Sequence, residues 1–142
     1  MGWAFPLQEN VVMDFLEDNL DTERVWVGSW YPSDPTLPPS EVTGFDVVVL
    51  VTNNGHSTVD ETRWGTVEIE VEADSRADAR DCAAEISSLL NDLAGKTVRG
   101  VLVDDVVENE GFRAVDNPDN QKRTYGMIYT LAFRKQLLVE GD

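Results

Sequence analysis

Thr66–Gly95, TVEIEVEADSRADARDCAAEISSLLNDLAG, decides how this chain folds. Val67, Ile69, Val71 and Ala73 alternate with Glu68, Glu70 and Glu72. That is the two-residue period of a strand with one dry and one wet face. Ser75 then stands at a helix N-cap, with Asp78 three residues on to complete a capping box and to place negative charge on the positive end of the helix. Ala79, Ala83, Ile86, Leu89, Leu90 and Leu93 recur at steps of three and four, the apolar stripe of an amphipathic helix. Gly95 is placed to end it in a left-handed conformation. Nothing in this strand and helix carries a catalytic pattern. The unit is scaffold, and it turns the question of function towards surfaces and assembly.

Working outward, Glu9–Leu20 reads as a first helix with Val11, Val12, Phe15 and Leu16 on one side. Residues 1–8 form an N-terminal arm bearing Trp3 and Phe5. Arg24–Trp30 alternates as a first strand, and residues 31–44, with Pro32, Pro35, Pro38 and Pro39, make a long proline-rich loop. Phe45–Thr52 is the most apolar run and reads as a central strand, followed by a turn at Asn53-Asn54-Gly55. Thr97–Val107 reads as extended with a bulge at Gly100, and Glu108–Lys122 as a polar loop. Arg123–Lys135 is a long strand: Tyr125, Met127, Tyr129, Leu131 and Phe133 share one face. Gly126, Ile128, Thr130 and Ala132 make a small-residue face that allows close approach of a helix. Residues 136–142 are a C-terminal tail. The order predicts one α+β domain over 1–142, a largely antiparallel sheet with two helices on one face.

Charge bounds the partners. The chain has 27 Asp+Glu against 11 Lys+Arg, a net of −16, so a basic footprint for DNA or RNA is excluded. The carboxylates are scattered, which fits a solvated surface or a functional electronegative face with Glu68, Glu70 and Glu72 as surface or lumen candidates. Cys82 is the single cysteine and lies on the apolar side of the second helix, as a small core residue would. One Cys and one His do not make a zinc site. No secretory leader and no 18-residue apolar span is read, so no membrane is expected, and without a binding motif no cofactor is expected either.

Candidate chemistry is thin. His56, the sole histidine, falls among turn residues with no nucleophile elbow beside it. Asp104 and Asp105 are neighbours on a strand and point to opposite faces, which does not suit a carboxylate pair in one site. Asp116–Gln121 departs from a calcium loop at Pro118 and Gln121. No phosphate loop, dinucleotide fingerprint or metalloprotease motif is present. Trp3, Phe5, Trp26, Trp30, Tyr31, Leu37 and Trp64 lie in arms, loops and strand ends. They either cap the ends of the core or meet a neighbouring subunit, where aromatic residues are enriched.

Across Glu9–Lys135 the pattern resembles the tail terminator (tail completion) proteins of long-tailed phages. The resemblance lies in the leading helix, the proline-bearing connection, FDVVVLVTNNG breaking into a polar loop, EADSRADARDCAAEISSLLNDL, and the closing strand RTYGMIYTLAFRK. It implies a virion protein at the head–tail junction: a homo-oligomeric ring of six that caps the tail tube, ends its polymerisation and joins it to the head connector or head-completion protein. Genomic DNA would pass through without specific binding. The extreme charge departs from what such a ring needs for close association. Another phage neck component, or a small acidic enzyme, are the alternatives. From their length and their aromatic residues, the N-terminal arm and the proline-rich loop are expected to be mobile in a free subunit and to order between subunits, or against the tail tube or head connector.

Overall fold

A computed structural model describes residues 2–21, 23–28, 45–57, 62–73, 75–115 and 123–138. Along the chain run β1 (Gly2–Ala4), α1 (Gln8–Asn19), β2 (Val25–Gly28), β3 (Phe45–Ser57), β4 (Thr62–Ala73) and α2 (Arg76–Asn91). The hairpin strands β5 (Thr97–Val98) and β6 (Val101–Leu102) follow, then β7 (Asp105–Val115), β8 (Arg123–Arg134) and β9 (Gln136–Leu138). Five of these strands form one sheet in the order β2-β3-β4-β8-β7. Only β2 and β3 run parallel; every other neighbouring pair is antiparallel.

The alternating strand Thr62–Ala73 is the centre of the sheet, a place that the apolar run Phe45–Thr52 was expected to hold. β4 pairs with β8 without a break from Thr62↔Arg134 to Ala73↔Arg123. Its dry residues Val67, Ile69 and Val71 stand opposite Tyr129, Met127 and Tyr125. Both helices pack on this face, since Val11, Val12, Phe15 and Leu16 of α1 and Cys82, Ala83, Ile86 and Leu90 of α2 share one buried cluster with it. The molecule is therefore a single α+β domain with two helices against a mainly antiparallel sheet. The small-residue face of β8 is turned away from the helices. Gly126 instead makes room for Val115 of β7, whose Cγ2 would come within 3.0 Å of a Cβ there.

α2 begins as its sequence implies: Ser75 Oγ accepts a hydrogen bond from the Asp78 amide at 3.1 Å. Its buried stripe is Ala79, Cys82, Ala83, Ile86, Ser87 and Leu90, with Leu93 fully buried just beyond. Gly95 does adopt a left-handed φ of +81°, but in the turn after the helix end, where its amide donates to Val103 O. Burial, with a smaller contribution from the charge of Glu85, pushes the Cys82 thiol up to about 12, so it behaves as a small apolar residue.

Several segments depart from the sequence expectation, each for a local reason. Thr97–Val107 is not one strand: Arg99 (φ 45°) and Gly100 (φ 87°) form a two-residue turn with both φ values positive, closing the β5–β6 hairpin. The Arg99 guanidinium then reaches α1, contacting Asp18 at 2.7 Å and Asp14 at 3.0 Å, and the bond to Arg99 lowers the Asp18 pKa. The polar stretch after Val107 is strand as far as Val115, an edge strand that has little to bury. Asn53-Asn54-Gly55 does not turn the chain; β3 continues to Ser57 and absorbs these residues as shifts in its register with β4. The N-terminal arm is paired within the subunit, Gly2–Ala4 on Gln136–Leu138, so the expected C-terminal tail supplies β9. Gln136 also fastens this pair to β6, its side-chain amide bonding both the N–H and the C=O of Leu102 at 2.8 Å.

Leu90 is completely buried at the centre of the α2 stripe. Leu90→Ala is expected to lower unfolding free energy by about 2–5 kcal/mol in urea titrations. A loss below about 0.5 kcal/mol is the size of a surface substitution and would contradict this packing.

Candidate functional site

The sheet face away from the helices, and the two edges of the sheet, are the surfaces this fold leaves for function. On the outer face Glu68 of β4 is aligned through Ile128 with Glu110 of β7, and Glu70 through Gly126 with Arg113. Arg113 Nε donates to Glu110 Oε1 at 3.2 Å. Partial burial raises the Glu68 carboxyl above its usual value; Glu70 and Glu110 push it the same way, and Arg113 opposes them. One arginine thus stands among three carboxylates, and the patch is electronegative. Further along the same face Thr66 and Thr130 hydroxyls meet at 2.9 Å, and Thr130 donates to Asn109 Oδ1 at 2.6 Å.

Glu72 does not belong to this open patch. It is fully buried opposite Thr124, itself buried, whose hydroxyl donates to it at 3.5 Å. Alternation placed it correctly on the outer side of β4 but carries no information about what lies over the strand end. Glu68 and Glu70 are half-buried.

Between α2 and the sheet, the buried Ser87 and Tyr129 side chains reach the exposed Glu108 of β7. The Tyr129 hydroxyl donates to Glu108 Oε1 at 2.9 Å and lies 2.9 Å from Ser87 Oγ, which donates to the same carboxylate oxygen at 3.3 Å. Burial is the main cause of the Tyr129 phenol being pushed up to about 12, so it stays protonated and acts as a donor. The group ties α2 to β7 and β8. Asp104 is likewise engaged structurally, accepting from the Arg134 backbone N–H and, at 2.8 Å, from its Nη2. Asp105 accepts from the Val106 amide. Among the described residues no cluster of three or more His, Cys, Asp or Glu has the arrangement of a metal site. No described helix is long and apolar enough to cross a membrane.

The aromatic candidates are dispersed. Two cations lie over the Phe5 ring, the Arg63 guanidinium carbon 6.0 Å and Lys135 Nζ 5.8 Å from its centroid. Trp3 belongs by backbone to the neighbouring β1–β9 pair. Trp64 is half-buried at the start of β4, opposite Ala132 and the backbone of His56. His56 is thus in a strand, not in a turn. Trp26 is half-buried at the far side of the sheet, its indole lying over Gly28 in the space a side chain there would need. Trp30, Tyr31 and Leu37, with the rest of the proline-rich loop and Asp116–Gln121, fall outside the described residues. Sequence reasoning passed over three exposed large apolar residues, Leu7, Val107 and Phe112. The last two belong to β7; Val107 ends the stretch read as extended, and the signal of Phe112 was an apolar residue among charges in a stretch that otherwise looks like loop. Phe112 leans on Tyr125 with ring centroids 6.3 Å apart.

No family model matches this sequence, and no curated protein matches it. Among solved structures, the fold is similar to that of a chain in "Virion of native gene transfer agent (GTA) particle". The likeness covers 89% of this chain and 93% of that one, with a TM-score of 0.61 and 15% identity. It is a likeness of fold. A second solved chain, 14% identical with a TM-score of 0.48, is too distant to argue from.

The electrostatics of the outer face are open to a direct test. A carboxyl whose folded-state pKa is raised supports folding below its unfolded value and loses that support as pH rises through the folded value. Glu68→Gln is therefore expected to raise the melting temperature at pH 7, with the gain fading as pH falls through the raised folded value and gone below the ordinary glutamate value of 4.5. A variant less stable at pH 7 would show that the Glu68 charge is held by attraction.

Proposed function

We propose that this chain is a structural protein of a phage-like particle and, within the particle, a tail terminator. Copies form a ring, six in number on the resemblance, which caps the tail tube, ends its polymerisation and joins it to the head connector. The observation that supports a particle role is the fold likeness to a virion chain over nearly the whole of both proteins. The order of elements, from the leading helix to the closing aromatic strand, supports the terminator reading.

The charge gives that reading physical content. A channel through which DNA slides must not hold phosphates, and a wall rich in carboxylates repels them. The outer sheet face with Glu68, Glu70 and Glu110 is the candidate for that wall. Six copies at −16 each amount to about −96, so the same charge that lets DNA pass opposes ring closure. Salt relieves the opposition. From about 20 to 300 mM the Debye length falls from roughly 20 to 6 Å, below the spacing of many charges across a subunit contact.

Sedimentation of the purified chain across that salt range is expected to show a monomer at low salt giving way to one larger closed species. A monomer at every salt and at high concentration would overturn self-assembly as the basis of the function. Rings that weaken as salt rises would show that attraction between charges, not their screening, governs the contact.

A further inference from the structure

The two sides of the five-stranded sheet end differently from its interior. Among the described residues β7 pairs with no strand but β8, along Asp105–Val115. At the opposite side, β2 covers only Phe45–Val48 of β3. Among the described residues no strand pairs with the outward side of β3 from 49 to 57. Among the described residues, each of these edges is a row of main-chain donors and acceptors that a further strand can satisfy. We propose that the two edges are partners: β7 of one copy adds to the sheet of a second copy, alongside residues 49–57 of its β3. This rests on the ring reading and names the contact through which its copies join.

Charge selects this pairing over the others. Every copy carries −16, so two copies meet at least cost where carboxylates are fewest. Between Asp46 and Asp60 the chain has none, and His56 is the only titratable side chain in that interval. β7 by contrast brings Asp105, Glu108 and Glu110. Two β7 edges laid together would place carboxylates opposite carboxylates, which is destabilising across a strand pair. A β7 edge against the carboxylate-free part of β3 avoids it. The lengths also correspond: nine residues of β3 span about 30 Å, close to the extent of β7.

The exposed apolar residues fall where this contact needs them. Val107 and Phe112 are 42% and 38% exposed, two of the three large apolar side chains so placed among the described residues. Val107 precedes the register shift of β7 between Glu108 and Glu110, and Phe112 lies within the one between Glu110 and Arg113. Such bulges and charges discourage pairing with an arbitrary strand, which leaves recognition to a matched edge. Because the contact joins different surfaces of identical copies, it repeats from copy to copy and closes into a ring when the rotation permits.

Thiol cross-linking tests the pairing. Cys82 is buried, so new cysteines placed at the two edges react selectively. Asn109→Cys and Asn53→Cys lie near the middles of the two edges, which makes the test independent of whether the strands run parallel or antiparallel. A short bis-maleimide applied to the double variant at 300 mM salt is expected to give a covalent ladder on a denaturing gel, with neither single variant giving dimers. In sedimentation, Val107→Lys, shown folded by circular dichroism, is expected to weaken self-association at least tenfold. A sedimenting assembly without a ladder, together with unchanged association of Val107→Lys, would overturn this contact and leave the ring standing. Dimers from Asn109→Cys alone would overturn it in favour of β7–β7 pairing. Absence of assembly at any salt would remove the ring reading itself.

Discussion

The unbroken pairing of β4 with β8 is the constraint on which the rest of the structure depends. Twelve residues of each strand face one another without a bulge. That register puts Val67 beside Tyr129 and Ile69 beside Met127, and so builds a continuous apolar surface under both helices. A slip of one residue would turn each of these side chains to the opposite face and replace them with Glu68 and Glu70. The register is therefore fixed by burial, and the position of α2, of β7 and of the acidic outer face follows from it. The Tyr129–Glu108–Ser87 bonds add a polar check on the same alignment, since they form only when β7, β8 and α2 are all in place.

Apolar and charged surfaces are thus separated across one sheet. The inner face and helices supply stability, while the outer face keeps carboxylates close enough that burial and mutual repulsion raise the Glu68 pKa. Attraction is used locally, as in the pairs of Arg99 with Asp14 and Asp18 and of Arg134 with Asp104. Such exposed pairs contribute little to stability, so the fold rests on its core. A subunit built this way has small tolerance for contact with another copy except along edges where charge is sparse.

How far this was legible in the residues depends on burial. β4, α1 and α2 were readable because each has one dry side and one wet side, and the periods of two and 3.6 are visible over many residues. β7 was not, because an edge strand buries almost nothing and its composition is that of a loop. Asn53-Asn54-Gly55 has turn chemistry, yet the continuing pairing of β3 with β4 overrides it and leaves only irregular register. Of the site, alternation was enough to place Glu68 and Glu70 outward. It was not enough for Glu72, which is buried and bonded to Thr124, 52 residues away. The aromatic residues were conspicuous by type, but the contacts of Phe5 with Arg63 and Lys135 come from topology, which no local pattern carries.

The central claim, that this acidic domain functions as a ring around a channel, is tested most directly by imaging the assembled protein. Negative-stain electron microscopy at moderate salt is predicted to show annular particles of uniform diameter with a stain-filled centre. Compact particles without a hole, or open filaments of indefinite length, would contradict it.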